Sequence, residues 1–264
     1  MESLLIWKLV VSVGAVLGLA LVAEHVSARV AGVLSGYPLG SAIALGFIGI
    51  EQGAAFAATA ARHTLLGFSA SLVLVYCYYL GSRSWERGHL LLGACSAIAG
   101  FAAAAFILRP LNLGLAGGVV MTLLMILLFY RLFRAIPNLR IEQRVQLSYG
   151  VLLLRALMAA ATVILITALA HLIGPAWSGL LSAFPITLFP FLLVLHYSYG
   201  RGPVYTVIKN YPLGLGALMC YVVTVTQSYP ALGVGWGTAV AFAVATLYLL
   251  GLGVWMGRRQ RQVA

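Results

Sequence analysis

Gly32-Val33-Leu34-Ser35-Gly36-Tyr37-Pro38 is written again 147 residues later as Gly179-Leu180-Leu181-Ser182-Ala183-Phe184-Pro185. Laid over itself at that offset without a gap, the chain matches at 11 of the 44 positions from Gly32 to Val75, well above chance. The chain reads as an internal duplication. In both copies the phrase sets a proline inside an apolar segment.

Composition gives that segment its solvent. Hydrophobic residues make up 62% of the chain and charged residues 8%, with a mean hydropathy of +1.04. Soluble domains carry about 25% charged residues, so this chain belongs in a bilayer. Spans of about 20 apolar residues cross a hydrocarbon core of about 30 Å. Nine are expected, at roughly 4–23, 30–50, 57–80, 90–108, 112–133, 148–170, 178–197, 205–227 and 233–256. The first matches the sixth at the repeat offset, so it is read as a span and not a signal peptide. Cys77, Cys95 and Cys220 all fall inside spans and carry neither disulfide nor metal-ligand spacing.

The net charge of +11 is a matter of placement. With the C-terminus cytoplasmic, the inner loops and tail hold Arg29, Arg83, Arg87, Arg131, Arg134, Arg140, Arg144, Arg201, Lys209, Arg258, Arg259 and Arg261, while the outer loops keep Arg62 and Arg109. That is the positive-inside bias, and nine spans then put the N-terminus outside. The basic residues set orientation, and no nucleic-acid partner is expected.

Spans one to four correspond to spans six to nine, with the fifth, Asn112 to Phe133, between them. An odd number of crossings separates the copies, so they run in opposite directions. The expected fold is an all-α polytopic membrane protein. Residues 1–110 form a four-helix repeat, 111–147 a linker helix and basic cytoplasmic loop, and 148–264 a second, inverted repeat with a basic tail. Secondary transporters commonly share this plan and bind substrate near the midplane where the copies meet.

Pro38 and Pro185 would break their spans there. Each removes a backbone hydrogen bond and pushes the preceding Tyr37 or Phe184 away from helical geometry. The half-helices beginning beyond them would present free N–H groups of Leu39 and Gly40, or Ile186 and Thr187, to an anion. Ser35 and Ser182 would add hydroxyls, either to the freed backbone or to a substrate. The plainer reading is two proline kinks, with Gly36 allowing close helix packing.

Charge is duplicated too. Lys8 falls on Arg155 and Arg62 on Lys209, which gives the expected substrate a negative sign: a carboxylate, a phosphate or a lipid-phosphate headgroup. Snorkelling to the interface is the alternative for all four. Of the five glutamates, Glu24 and Glu51 sit at span ends, matching His171 and Ser198, with His196 nearby. Glu24, Glu51, His171 and His196 are the candidates for a coupling proton; the plainer role is capping or meeting solvent.

Enzymatic chemistry finds little footing. There is no aspartate, no glutamate pair at helical spacing to hold magnesium, no zinc-ligand histidine spacing and no phosphate loop. Neither cofactor nor metal is expected. Ser178 to Pro185, with His196, Tyr197 and Gly200, resembles the core of the small GlpM-type bacterial inner-membrane proteins. Some twenty-five residues in one half carry this resemblance, which implies a bacterial inner-membrane location and a link to exopolysaccharide production. The first copy has Gly49 and Ile50 in place of the His-Tyr pair.

The resulting expectation is an inner-membrane transporter for a small anionic or phosphate-bearing amphiphile. The alternatives are an ion channel, or a non-transporting partner in envelope polysaccharide synthesis. Gly14-x-x-x-Gly18 and Gly253-x-x-x-Gly257 would suit a homo-oligomer.

Overall fold

The computed structural model describes residues 2–24, 28–84, 88–136 and 149–263, all in helices and the turns joining them. A chain this apolar must satisfy its backbone internally, and helices do so segment by segment. They are α1 (Glu2–Glu24), α2 (Ala28–Leu34), α3 (Leu39–Gln52), α4 (Ala54–Arg83), α5 (His89–Leu108), α6 (Gly114–Leu132), α7 (Tyr149–Ser182), α8 (Leu188–Tyr199) and α9 (Arg201–Val263).

Six helical stretches among the described residues are long and apolar enough to cross a membrane. They are Val30–Gln52, Ala54–Arg83, His89–Leu108, Gly114–Ala135, Ala156–Ser182 and Arg201–Met256. The last two each contain a glycine outside helical geometry, Gly174 and Gly233, both at φ 74°. At Gly233 the chain turns back on itself. Ser228 donates a hydrogen bond to the Gly237 carbonyl at 3.2 Å, and Tyr248 donates to the Leu213 carbonyl at 3.0 Å. Stretches expected as separate spans are therefore joined here through a glycine and not a loop.

The order of elements recurs at the sequence offset. The first phrase separates α2 from α3 and the second separates α7 from α8. Gly53 (φ 92°) then joins α3 to α4, and Gly200 (φ 74°) joins α8 to α9. Both turns use a backbone conformation that only glycine adopts freely.

Small residues let the broken spans approach their neighbours at backbone distance. A Cβ on Gly32 would meet the Val207 carbonyl, and one on Gly179 the Ala60 carbonyl. One on Gly36 would meet the Gly214 backbone, and one on Gly67 would meet Ala183. Within each of these two sets, the second contact is the first with both residues exchanged between copies. α2 therefore lies along the first arm of α9, while the end of α7 lies along α4. α4 and that arm of α9 run antiparallel, with Tyr79 against Tyr205 at one level and Ser71 beside Tyr211 at the next.

The outside of the bundle is apolar. Leu91, Phe106, Ile107, Leu124, Leu128, Leu247 and Leu250 are all exposed. A water-soluble monomer does not present so continuous a surface, whereas hydrocarbon is its natural solvent. The molecule is a multi-pass helical membrane protein in composition and in surface.

Candidate functional site

The two proline breaks meet at the centre. A Cβ on Gly40, two residues past Pro38, would stand 3.1 Å from Cβ of Ile186, next to Pro185. Of the N–H groups expected to be free beyond the prolines, those of Leu39 and Ile186 are engaged. Leu39 donates to the Tyr37 carbonyl at 2.8 Å and Ile186 to the Phe184 carbonyl at 2.7 Å, closing a tight turn around each proline.

Both serines of the phrase bond back to their own helices and not to the backbone that the prolines free. Ser35 donates to the Ala31 carbonyl at 2.8 Å and Ser182 to the Ser178 carbonyl at 2.7 Å, each one turn back. The carbonyls released by the second break are taken by hydroxyls from the first half. Ser41 donates to the Ser182 carbonyl at 2.8 Å, and Ser71 donates to the Ala183 carbonyl. What remains between the breaks is a void of about 10 Å³, lined by Ser35, Ser41, Thr187 and Tyr211 among others. That is room for about one water molecule.

Tyr37 and Phe184 turn away from each other, each toward a helix of the opposite half. The Tyr37 ring lies 5.7 Å from that of Phe242, and its hydroxyl shares a 3.1 Å hydrogen bond with Thr246. Phe184 meets Phe101 edge to face at 5.2 Å.

The bundle has two polar ends. At one, Lys8 is 6% exposed. Its Nζ lies 2.6 Å from Glu51 Oε1 and donates to Thr167 Oγ1 at 2.7 Å. This pair ties α1 to α3 and α7, bringing together residues expected separately for substrate and for coupling. In this structure the Lys8 charge is answered by Glu51. Ser12, one turn along α1, is buried with no hydrogen-bond partner among the described residues.

At the other end His196, 2% exposed, is held at both ring nitrogens. Tyr78 Oη lies 2.9 Å from its Nδ1, and its Nε2 lies 2.8 Å from His89 Nδ1. The Arg201 guanidinium is close enough to act on His196 through space. His89 opens α5 and is half-buried, so the three groups form a hydrogen-bonded row from the helix end to the interior.

Compared with protein-family models, curated proteins and solved structures, the chain matches none. The GlpM-type resemblance accordingly rests on the residues Ser178 to Pro185 and His196 to Gly200 alone.

The remaining sequence candidates lie apart from the centre. Lys209 donates to the carbonyls of Arg134 (3.3 Å) and Ile136, capping the turn that ends α6. Arg62 and His171 are exposed on α4 and α7. The side chains of Glu24 and Arg155 lie outside the described residues, as does the loop holding Arg140 and Arg144.

The sequence reading did not single out Ser41, Ser71, Tyr78, His89 and Thr167, which are isolated polar residues in apolar helices. Their common signal is that polar groups inside a membrane need partners. It also missed a groove of about 670 Å³ between α1, α3 and the second arm of α9.

Proposed function

We propose that this protein is a transporter built as an inverted repeat, with nine membrane crossings, an outer N-terminus and a cytoplasmic C-terminus. It carries a small anionic or phosphate-bearing amphiphile across the bacterial inner membrane by alternating access. The observation that carries this reading is the exchange symmetry of the contacts around the two proline breaks. Gly32 on Val207 answers Gly179 on Ala60, and Gly36 on Gly214 answers Gly67 on Ala183. Equivalent helices that run antiparallel, as α4 and α9 do, are related by an axis lying in the membrane plane. Two halves so related can trade arrangements about a fixed centre, the geometry of alternating access.

A closed centre with a polar latch at each end fits an occluded state. The Lys8–Glu51–Thr167 cluster holds one end and the Tyr78–His196–His89 row the other. The inside assignment follows the charge: Arg83, Arg131, Arg134, Arg201 and Lys209 gather at the histidine end. Coupling to protons through the Tyr78–His196–His89 row is part of the same proposal, because its groups are hydrogen-bonded in sequence and a proton can pass along them.

Flux measurements in proteoliposomes test it. A fluorescent single-chain phosphate amphiphile should enter saturably and show counterflow when unlabelled amphiphile is loaded inside. Folded protein without flux overturns the reading. Flux that neither saturates nor shows counterflow replaces it with a channel.

A further inference from the structure

The groove between α1, α3 and the second arm of α9 has no counterpart in the sequence reading. Its volume of about 670 Å³ falls within the ~300–1,000 Å³ of small-molecule sites. Trp7 and Val11 of α1, Ala42, Gly46 and Phe47 of α3, and Gly235 of α9 form its walls. The hydroxyl of the lining residue Thr238 is engaged by Tyr229 at 2.8 Å. The lining therefore selects an apolar occupant.

Small side chains carve the space, and only in one copy. Cβ atoms on Gly46 or Gly235 would meet nothing within 4 Å. At the repeat offset Ala42 and Gly46 become Phe189 and Leu193, whose bulk fills the equivalent positions of α8. Trp7, Val11 and Ile50 in its wall are exposed, so the groove opens onto the apolar outer surface, where a bilayer lipid has direct access to it.

A buried charged pair lies close to one end of the groove, outside its lining. Trp7 and Ile50, both in its wall, are the chain neighbours of Lys8 and Glu51, and the Phe47 ring lies 6.0 Å from the Lys8 ammonium. An ammonium has three donors, of which Glu51 and Thr167 engage two. An anionic headgroup arriving there would contest Glu51 for the same cation.

We propose that this groove binds the single apolar tail of an anionic amphiphile drawn from the bilayer, with its phosphate or carboxylate head displacing Glu51 from Lys8. The groove binds on its own account; only the step from bound lipid to carried substrate rests on the transport reading.

Trp7 supplies the readout. A lysophosphatidate with a brominated acyl chain should quench tryptophan fluorescence of the purified protein with a saturable component that is absent from Trp7→Phe. Gly46→Leu, which fills the groove, should weaken that component at least tenfold. Glu51→Gln should strengthen it several-fold by removing the competing anion, and Lys8→Gln should weaken it. The choline counterpart should bind more weakly, and inorganic phosphate should not compete. Quenching that survives Gly46→Leu overturns the groove, and equal affinity for the choline lipid overturns head recognition by Lys8. Competition by phosphate alone overturns the bilayer source. Flux assays on the same variants separate the two readings: saturable quenching without flux defeats transport only, and normal flux by Gly46→Leu defeats the groove as its entry.

Discussion

Lys8 carries an ammonium on an apolar helix, where burial is tolerable only with a partner. Glu51 and Thr167 provide it, at 2.6 and 2.7 Å. Removing one partner of a fully buried pair costs about 3–5 kcal/mol, and this pair should cost less because the Glu51 side chain is 21% exposed. Lys8→Met and Glu51→Met should each lower the thermal midpoint in detergent, while the double variant recovers part of the loss. Equal, additive losses would mean that the pair contributes nothing. His89→Gln interrupts the row that reaches His196 and should flatten the dependence of flux on pH. An unchanged pH profile would take coupling away from this row. At the residue scale Lys8, Glu51 and His196 stood out in the sequence as rare ionisable groups in apolar spans. Their partners were not: Lys8 meets Thr167 across 159 positions, and Tyr78 meets His196 across 118.

Among elements, the two broken spans differ from ordinary proline kinks in how closely they lie against their neighbours. Gly36 and Gly214 pack backbone to backbone, so Gly36→Ala or Gly214→Ala has no flexible side chain to displace. Either should destabilise the fold by about 1–3 kcal/mol, measured by unfolding in detergent, whereas Gly46→Ala should be nearly neutral. The proline turns make a separate prediction. Pro38→Ala with Pro185→Ala should reduce flux more than folded yield, because alanine lets both helices close over the break. Normal transport by that double variant would remove the breaks from the mechanism. The breaks themselves could be read from the phrase, since proline denies the helix a donor wherever it stands. The tight turns at Tyr37–Leu39 and Phe184–Ile186 were not legible, nor was the use of Ser41 and Ser71 as partners for the Ser182 and Ala183 carbonyls. Those depend on which carbonyls the neighbouring helices leave open.

In the whole molecule, the question is whether the halves are inverted. Cysteines placed singly at Leu111 and at Ser84, in a background without Cys77, Cys95 and Cys220, should react with impermeant reagents from opposite sides, Leu111 from outside. Labelling of both from one side would contradict the proposed topology. From the amino-acid order alone, the membrane as solvent and the two helix breaks were already determined, because hydropathy and proline geometry are local properties of the chain. The tertiary structure alone decided that the breaks face each other across a nearly filled centre, that Lys8 is paired with Glu51, and that one half keeps an apolar groove. These depend on how closely helices far apart in sequence approach. Distance between helices is set by the side chains on both, glycine against glycine in one place and glycine against nothing in another.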